Sequence, residues 1–215
     1  MYSICLYIWP ILSLLLDSFH YTKGDLEEDN KKKIVRNILS ATHSIICTFS
    51  FLLAYYTQAD ILRYYAICFS SSYFIWDSYF IIVNKFKADY VFLIHHGITI
   101  YVLEYVIDGY NKELMTLLIV YGELSNFPHY LVYHKLKRKN STDLNIRYWR
   151  HIQITWFVFF RWILYGQYIT SLYTLFYDWI LILSCYCLYF MGVYWGIGQL
   201  KGINNDYYSK TNKIH

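Results

Sequence analysis

Two prolines and nine glycines in 215 residues leave little material for turns and long loops. That excludes a Pro-rich or Gly/Ser-rich linker architecture and confines irregular chain to short links. Charge is scarce too: 16% of residues are Asp, Glu, Lys or Arg, against about 25% in a soluble domain. The five cysteines (Cys5, Cys47, Cys68, Cys185 and Cys187) have no metal-ligand spacing and fall in apolar runs, as buried free thiols do. Clustered histidine sets are missing as well. The one adjacent pair, His95-His96, falls short of what a membrane di-iron centre needs, so no metal or other cofactor is expected. A formal charge of +4 is mild and gives no ground for a nucleic-acid partner.

What the chain has instead is apolar and aromatic. It is 57% hydrophobic and 22% aromatic, with 26 Tyr, 14 Phe and 7 Trp, a surplus that suits interfacial belts and bundles in lipid. About 20 apolar residues cross a hydrocarbon core. Seven runs approach that length: Met1–Leu16, Val35–Tyr55, Tyr64–Val83, Tyr90–Val106, Leu114–Val132, Ile152–Tyr173 and Trp179–Gln199. The first lacks the basic amino-terminal region and small-residue cleavage site of a signal peptide, and it reads as a helix. The predicted fold is therefore all-α, a multi-pass transmembrane bundle of about seven helices. Residues 1–33 form the first helix and a charged cytosolic link, 34–200 a six-helix unit, and 201–215 a short cytosolic tail.

The links set the orientation. Those after the first, third and fifth runs, with the tail, hold 16 of the 19 Lys and Arg residues, counting Arg36 with the first link. The links after the second, fourth and sixth runs hold two, Arg63 and Lys112. Because the Lys/Arg-rich side stays cytosolic, the amino terminus is predicted to be lumenal or external and the carboxy terminus cytosolic. Lys23–Lys33 and His134–His151 mix signs and read as solvated links. The sequon Asn140-Ser141-Thr142 falls on the cytosolic side, where it stays bare.

Among the ionisable residues that break the apolar runs, six share a depth: His43, Asp77, His95, His96, Glu123 and Arg161. Each lies about six to nine residues in from the basic end of its run, roughly 8–14 Å deep at helical rise. Antiparallel helices would therefore deliver them to one layer. Such groups are costly in lipid unless they face a protein interior or a wet cavity, which marks them as a candidate site. The plainer alternative is a set of hydrogen bonds that only ties helices together. Helical spacing aligns Ser40, His43 and Cys47, also His95, His96 and Thr99, and also Glu123, Asn126 and Tyr130. His95 and His96 point about 100° apart, so both serve one point only if the layer wraps around them. Pro128 cannot donate to the Leu124 carbonyl and is predicted to kink or loosen the fifth helix. Arg161 keeps its charge and is expected to need Glu123, Asp77 or a lipid anion close by.

In order along the chain, these residues resemble the TLC-domain family, named for TRAM, Lag and CLN proteins. The resemblance rests on Ser40-x-x-His43, Tyr73 with Asp77, His95-His96, Glu123-x-Ser125, Phe160-Arg161 and Trp195, over about three quarters of the chain. It implies a multi-pass protein of the endoplasmic reticulum, another endomembrane or the plasma membrane, handling lipids in a helical bundle. Within the family, ceramide synthases begin their motif His-His-x-x-Thr, as His95, His96 and Thr99 do here. Where that motif ends His-Asp-x-x-Asp, this chain reads Gly122-Glu123-Leu124-Ser125-Asn126. The chain looks more like the small TLC-domain proteins linked to membrane lipid composition. The resemblance implies membrane lipids as partners, sphingolipid or fatty acyl species among them. His43, Thr99, Ser125, Asn126 and Arg161 would then bind lipid. An acyl-CoA-dependent N-acyltransferase would use His95, His96, Glu123 and Asp77 catalytically, with acyl-CoA as co-substrate. A structural membrane protein without ligand is the third reading.

Overall fold

Every apolar run becomes a helix, and most helices extend past the ends of their runs. A computed structural model describes residues 2–21, 27–108, 111–138, 143–175 and 178–211. Among these the chain is all-helical, in seven rods. The elements are α1 (Tyr2–Tyr21), α2 (Glu28–Thr57), α3 (Asp60–Val83), α4 (Val91–Asp108), α5 (Lys112–Leu124), α6 (Phe127–Arg138), α7 (Asp143–Phe157), α8 (Tyr165–Leu175) and α9 (Trp179–Thr211). A 3₁₀ turn, Lys87–Asp89, leads into α4. Together α5 and α6 make one broken rod, while α7, a π-helical stretch over Val158–Leu164, and α8 make another. The sequon at Asn140, the middle of the first charged link and the last four residues lie outside the described residues.

Local chemistry accounts for the helix ends. The part of the charged link from Glu28 onward, expected as solvated loop, is the opening of α2. Glu28 and Asp29 stand in its first turn, where the helix dipole favours acids, and Glu28 pairs with Lys32 at 3.0 Å. The rod ends at Gln58, whose φ of 54° is the left-handed conformation that closes a helix. Asp178 caps α9, accepting from the Ile180 and Leu181 amides at 2.9 and 3.2 Å.

The rod containing α2 is central, packing against α1, α3, α5 and α6, while α9 closes the far side against α4, α7 and α8. Leu39, Phe51, Ile67, Leu103, Leu118 and Leu172 form the buried core. The predicted first helix belongs to this core: Trp9 is fully buried and donates to Ser72 Oγ at 3.1 Å. Three helical segments are long and apolar enough to cross a membrane by length and composition: Glu28–Thr57, Asp60–Val83 and Trp179–Ile203. Leu14, Phe49, Leu53, Ile82, Leu183 and Phe190 are more than half exposed on the outer faces.

Charged contacts between rods include two clusters. At one, Arg36 of α2 meets Asp77 of α3 and Asp89 of the 3₁₀ turn, and Arg150 of α7 donates to the Gly202 carbonyl of α9 at 2.9 Å. At the other, Lys112 of α5 holds Asp60 of α3 at 2.7 Å, and Asp60 also pairs with Arg63. The described links rich in Lys and Arg thus share one end of the bundle.

Candidate functional site

Many polar residues of the interior line one cavity of about 510 Å³. His43, Asp77, His95, His96, Thr99, Glu123, Asn126 and Arg161 are all in its wall, so antiparallel helices do deliver them to one place. Ser125 is not in the wall: it is fully buried, and its hydroxyl donates to the Gly122 carbonyl at 2.6 Å. Val102, Leu118, Ile119 and Leu188 supply an apolar part of the same wall.

Asp77 finds a partner that sequence reasoning had assigned to a link. Arg36 grips it through both ends of the guanidinium, Nε to Oδ1 at 2.6 Å and Nη2 to Oδ2 at 2.9 Å. Its third arm holds Asp89 at 2.6 Å. Such a fork-to-carboxylate pair is the strong, oriented kind of charged hydrogen bond. His96 stands behind it, with Nε2 3.4 Å from Asp77 Oδ2 and Nδ1 2.9 Å from Ser78 Oγ. The Ser78 hydroxyl has one proton and two neighbours, His96 Nδ1 and the Phe74 carbonyl at 2.8 Å. That proton therefore selects which nitrogen of His96 carries hydrogen.

His43 sits in an aromatic box. Tyr73 stacks on it at 4.0 Å and 10°, and Trp9 meets it edge-on at 5.9 Å. Its Nδ1 lies 4.0 Å from Glu123 Oε2, too far for a hydrogen bond, and its buried Nε2 has no partner. The Tyr73 hydroxyl is held by Ser40 at 2.6 Å, so the Ser40 stripe fixes the ring that faces His43. His95 packs edge-on against Trp195 at 5.2 Å, and its buried Nδ1 is also without a partner. The cavity wraps around α4 far enough to take in both His95 and His96 despite their divergent directions.

The expected disruption at Pro128 is a full break between α5 and α6. The Leu124 carbonyl that Pro128 cannot satisfy accepts from Trp156 Nε1 of α7 at 2.6 Å. Gly122, at the turn before, accepts from Ser125 and from Asn126 at 3.4 Å. Side chains thus replace the missing backbone bonds, as an apolar surround requires. Past the break, His129 lines the cavity with Nδ1 2.9 Å from Gln153 Nε2.

Arg161 is placed by the π-helical stretch, a widened coil that recurs at functional positions. The expected ion pair with Asp77 is not made: both oxygens of that carboxylate are taken by Arg36. No carboxylate among the described residues lies within 4.0 Å of its guanidinium. Arg161 is 7% exposed, rides over the Tyr165 ring at 5.0 Å and reaches the Leu188 carbonyl only at 3.5 Å. Its Nε has no partner. Two glycines make its slot: a Cβ on Gly122 would lie 2.7 Å from Nη1, and one on Gly192 would lie 2.6 Å from Nε. Gly196, one turn beyond Gly192, likewise admits Trp162.

Sequence reasoning missed Arg36, Trp9, Gly192 and the role of Gly122. Arg36 had a signal, since it stands on the same α2 stripe as Ser40 and His43. Geometry alone supports binding and orienting a polar group in a cavity whose wall is partly polar and partly apolar. Comparison with protein-family models, with curated proteins and with solved structures finds no match for the chain.

Proposed function

We propose that the chain is a multi-pass membrane protein of TLC-domain type that binds lipids and influences membrane lipid composition. The head group is held by the His, Asp, Glu and Arg layer, and the apolar tail by the Val102, Leu118 and Leu188 side of the cavity. The observation that carries this reading is the wall itself: one cavity holds unpartnered buried nitrogens of His43, His95 and Arg161 beside aliphatic side chains. An amphiphile supplies what each half lacks. Exposed Leu, Ile and Phe on the outer faces support insertion, since a soluble surface rarely presents so much contiguous apolar area. The basic end of the bundle supports a cytosolic location for that end.

An acyl-CoA-dependent N-acyltransferase is the second reading, favoured by the approach of His96 Nε2 to Asp77 at 3.4 Å. Both Asp77 oxygens are taken by Arg36, so this carboxylate is already charge-compensated and is a weak activator of a base. Lipidomics of membranes carrying wild type against His95→Ala/His96→Ala should show a changed lipid profile. The purified protein given acyl-CoA and sphinganine should form no ceramide above that double variant. Identical profiles would remove the lipid reading, and histidine-dependent product would promote the enzyme.

A further inference from the structure

We propose that Arg161 anchors an oxyanion, the carboxylate or phosphate head group of an amphiphile in the central cavity; this deepens the lipid reading above and rests on it. Four observations converge on the guanidinium. It is buried, lines the cavity, has no carboxylate within 4.0 Å among the described residues, and leaves Nε without a partner. Arginine does not shed its proton, so the charge stays. A buried cation without a counter-ion is among the costliest arrangements in an apolar interior. The other buried cation of the wall, Arg36, is fully engaged by Asp77 and Asp89. Glu123 acts on the guanidinium only from beyond contact distance, and its Oε2 lies 4.0 Å from His43 Nδ1.

The slot is built rather than incidental. Gly122 and Gly192 flank the side chain so closely that a methyl group at either would collide with it. Arg161 belongs to the π-helical stretch, and its side chain lies against both glycines. The guanidinium lines the cavity, and carboxylates and phosphates accept from its N–H groups in pairs. His95 Nδ1 and His43 Nε2, also unpartnered in this wall, are further polar contacts for the same head group.

The test uses the full chain in a neutral sugar detergent and three probes: oleyl phosphate, oleyl alcohol and inorganic phosphate. Oleyl phosphate should bind wild type at least tenfold more tightly than it binds Arg161→Met, while oleyl alcohol binds both alike. Gly122→Ala keeps the charge and meets only the flexible end of Arg161, so it folds even if Arg161→Met does not. It should weaken oleyl phosphate several-fold and leave oleyl alcohol unchanged. Equal oleyl phosphate affinity in all three proteins would overturn the anchor and leave the lipid reading standing. Inorganic phosphate matching oleyl phosphate, or failure of both oleyl probes to bind, would overturn the lipid reading instead.

Discussion

Two arginines of the same wall stand in opposite electrostatic situations, and substitution separates them. Asp77 has 2% of its side chain exposed and is satisfied through the Arg36 fork. Arg36→Met strands that carboxylate and should cost about 3–5 kcal/mol, the usual penalty for breaking a buried pair from one side. Arg161→Met removes a buried cation that has no carboxylate within 4.0 Å among the described residues, so it should cost less than Arg36→Met. Unfolding of both variants in detergent, followed by helical circular dichroism, ranks them directly. A larger loss for Arg161→Met than for Arg36→Met would mean that the charge pairing has been misassigned. Bidentate geometry also predicts that Arg36→Lys recovers only part of the loss, because an ammonium cannot span both oxygens.

At the scale of the element, the broken α5–α6 rod and the π-helical stretch both trade regular hydrogen bonds for placement of a side chain. At the break a single indole serves the Leu124 carbonyl, since Trp156 supplies the donor that Pro128 lacks. Trp156→Phe leaves the Leu124 carbonyl without that donor and should cost about 1–3 kcal/mol. In a Pro128→Ala background the backbone amide returns and can reach the same carbonyl, so the cost of Trp156→Phe should fall. The coupling expected in such a double-mutant cycle is on the order of 0.5–3 kcal/mol. Strict additivity would show that the indole is there for packing alone. The α9 pair Gly192 and Gly196 belongs to the same logic: small residues one turn apart let Arg161 and Trp162 lie against the helix.

For the whole molecule, the basic described links collect at the end that holds the cavity-lining residues Lys33, Arg36 and Arg150. On the proposed orientation a head group would be held on the cytosolic side of the midplane. A reporter fused after His215 should accordingly read as cytosolic and one at Met1 as lumenal or external. Asn140 should stay unglycosylated in microsomes, and its modification would reverse the whole arrangement.

Helix positions and the residues of the candidate layer were legible in the sequence because both depend on local sums. Transfer of about 20 residues into an apolar surround decides a span, and helical rise decides depth, so Asp77, His96 and Glu123 could be set at one level by counting. Which cation meets which carboxylate was not legible. Pairing depends on ångström-scale packing between positions far apart in the chain, as in Arg36 to Asp77 across 41 residues. A proline announced that α5 would be disrupted, but only the tertiary structure showed Trp156 taking the freed carbonyl. Glycine carries no pattern of its own in a helix, and the slot around Arg161 exists only where Gly122 and Gly192 face each other across it. Helical spacing brought these residues to one level of the bundle; long-range packing decided that Arg36 is paired with Asp77 and that Arg161 has no carboxylate in contact among the described residues.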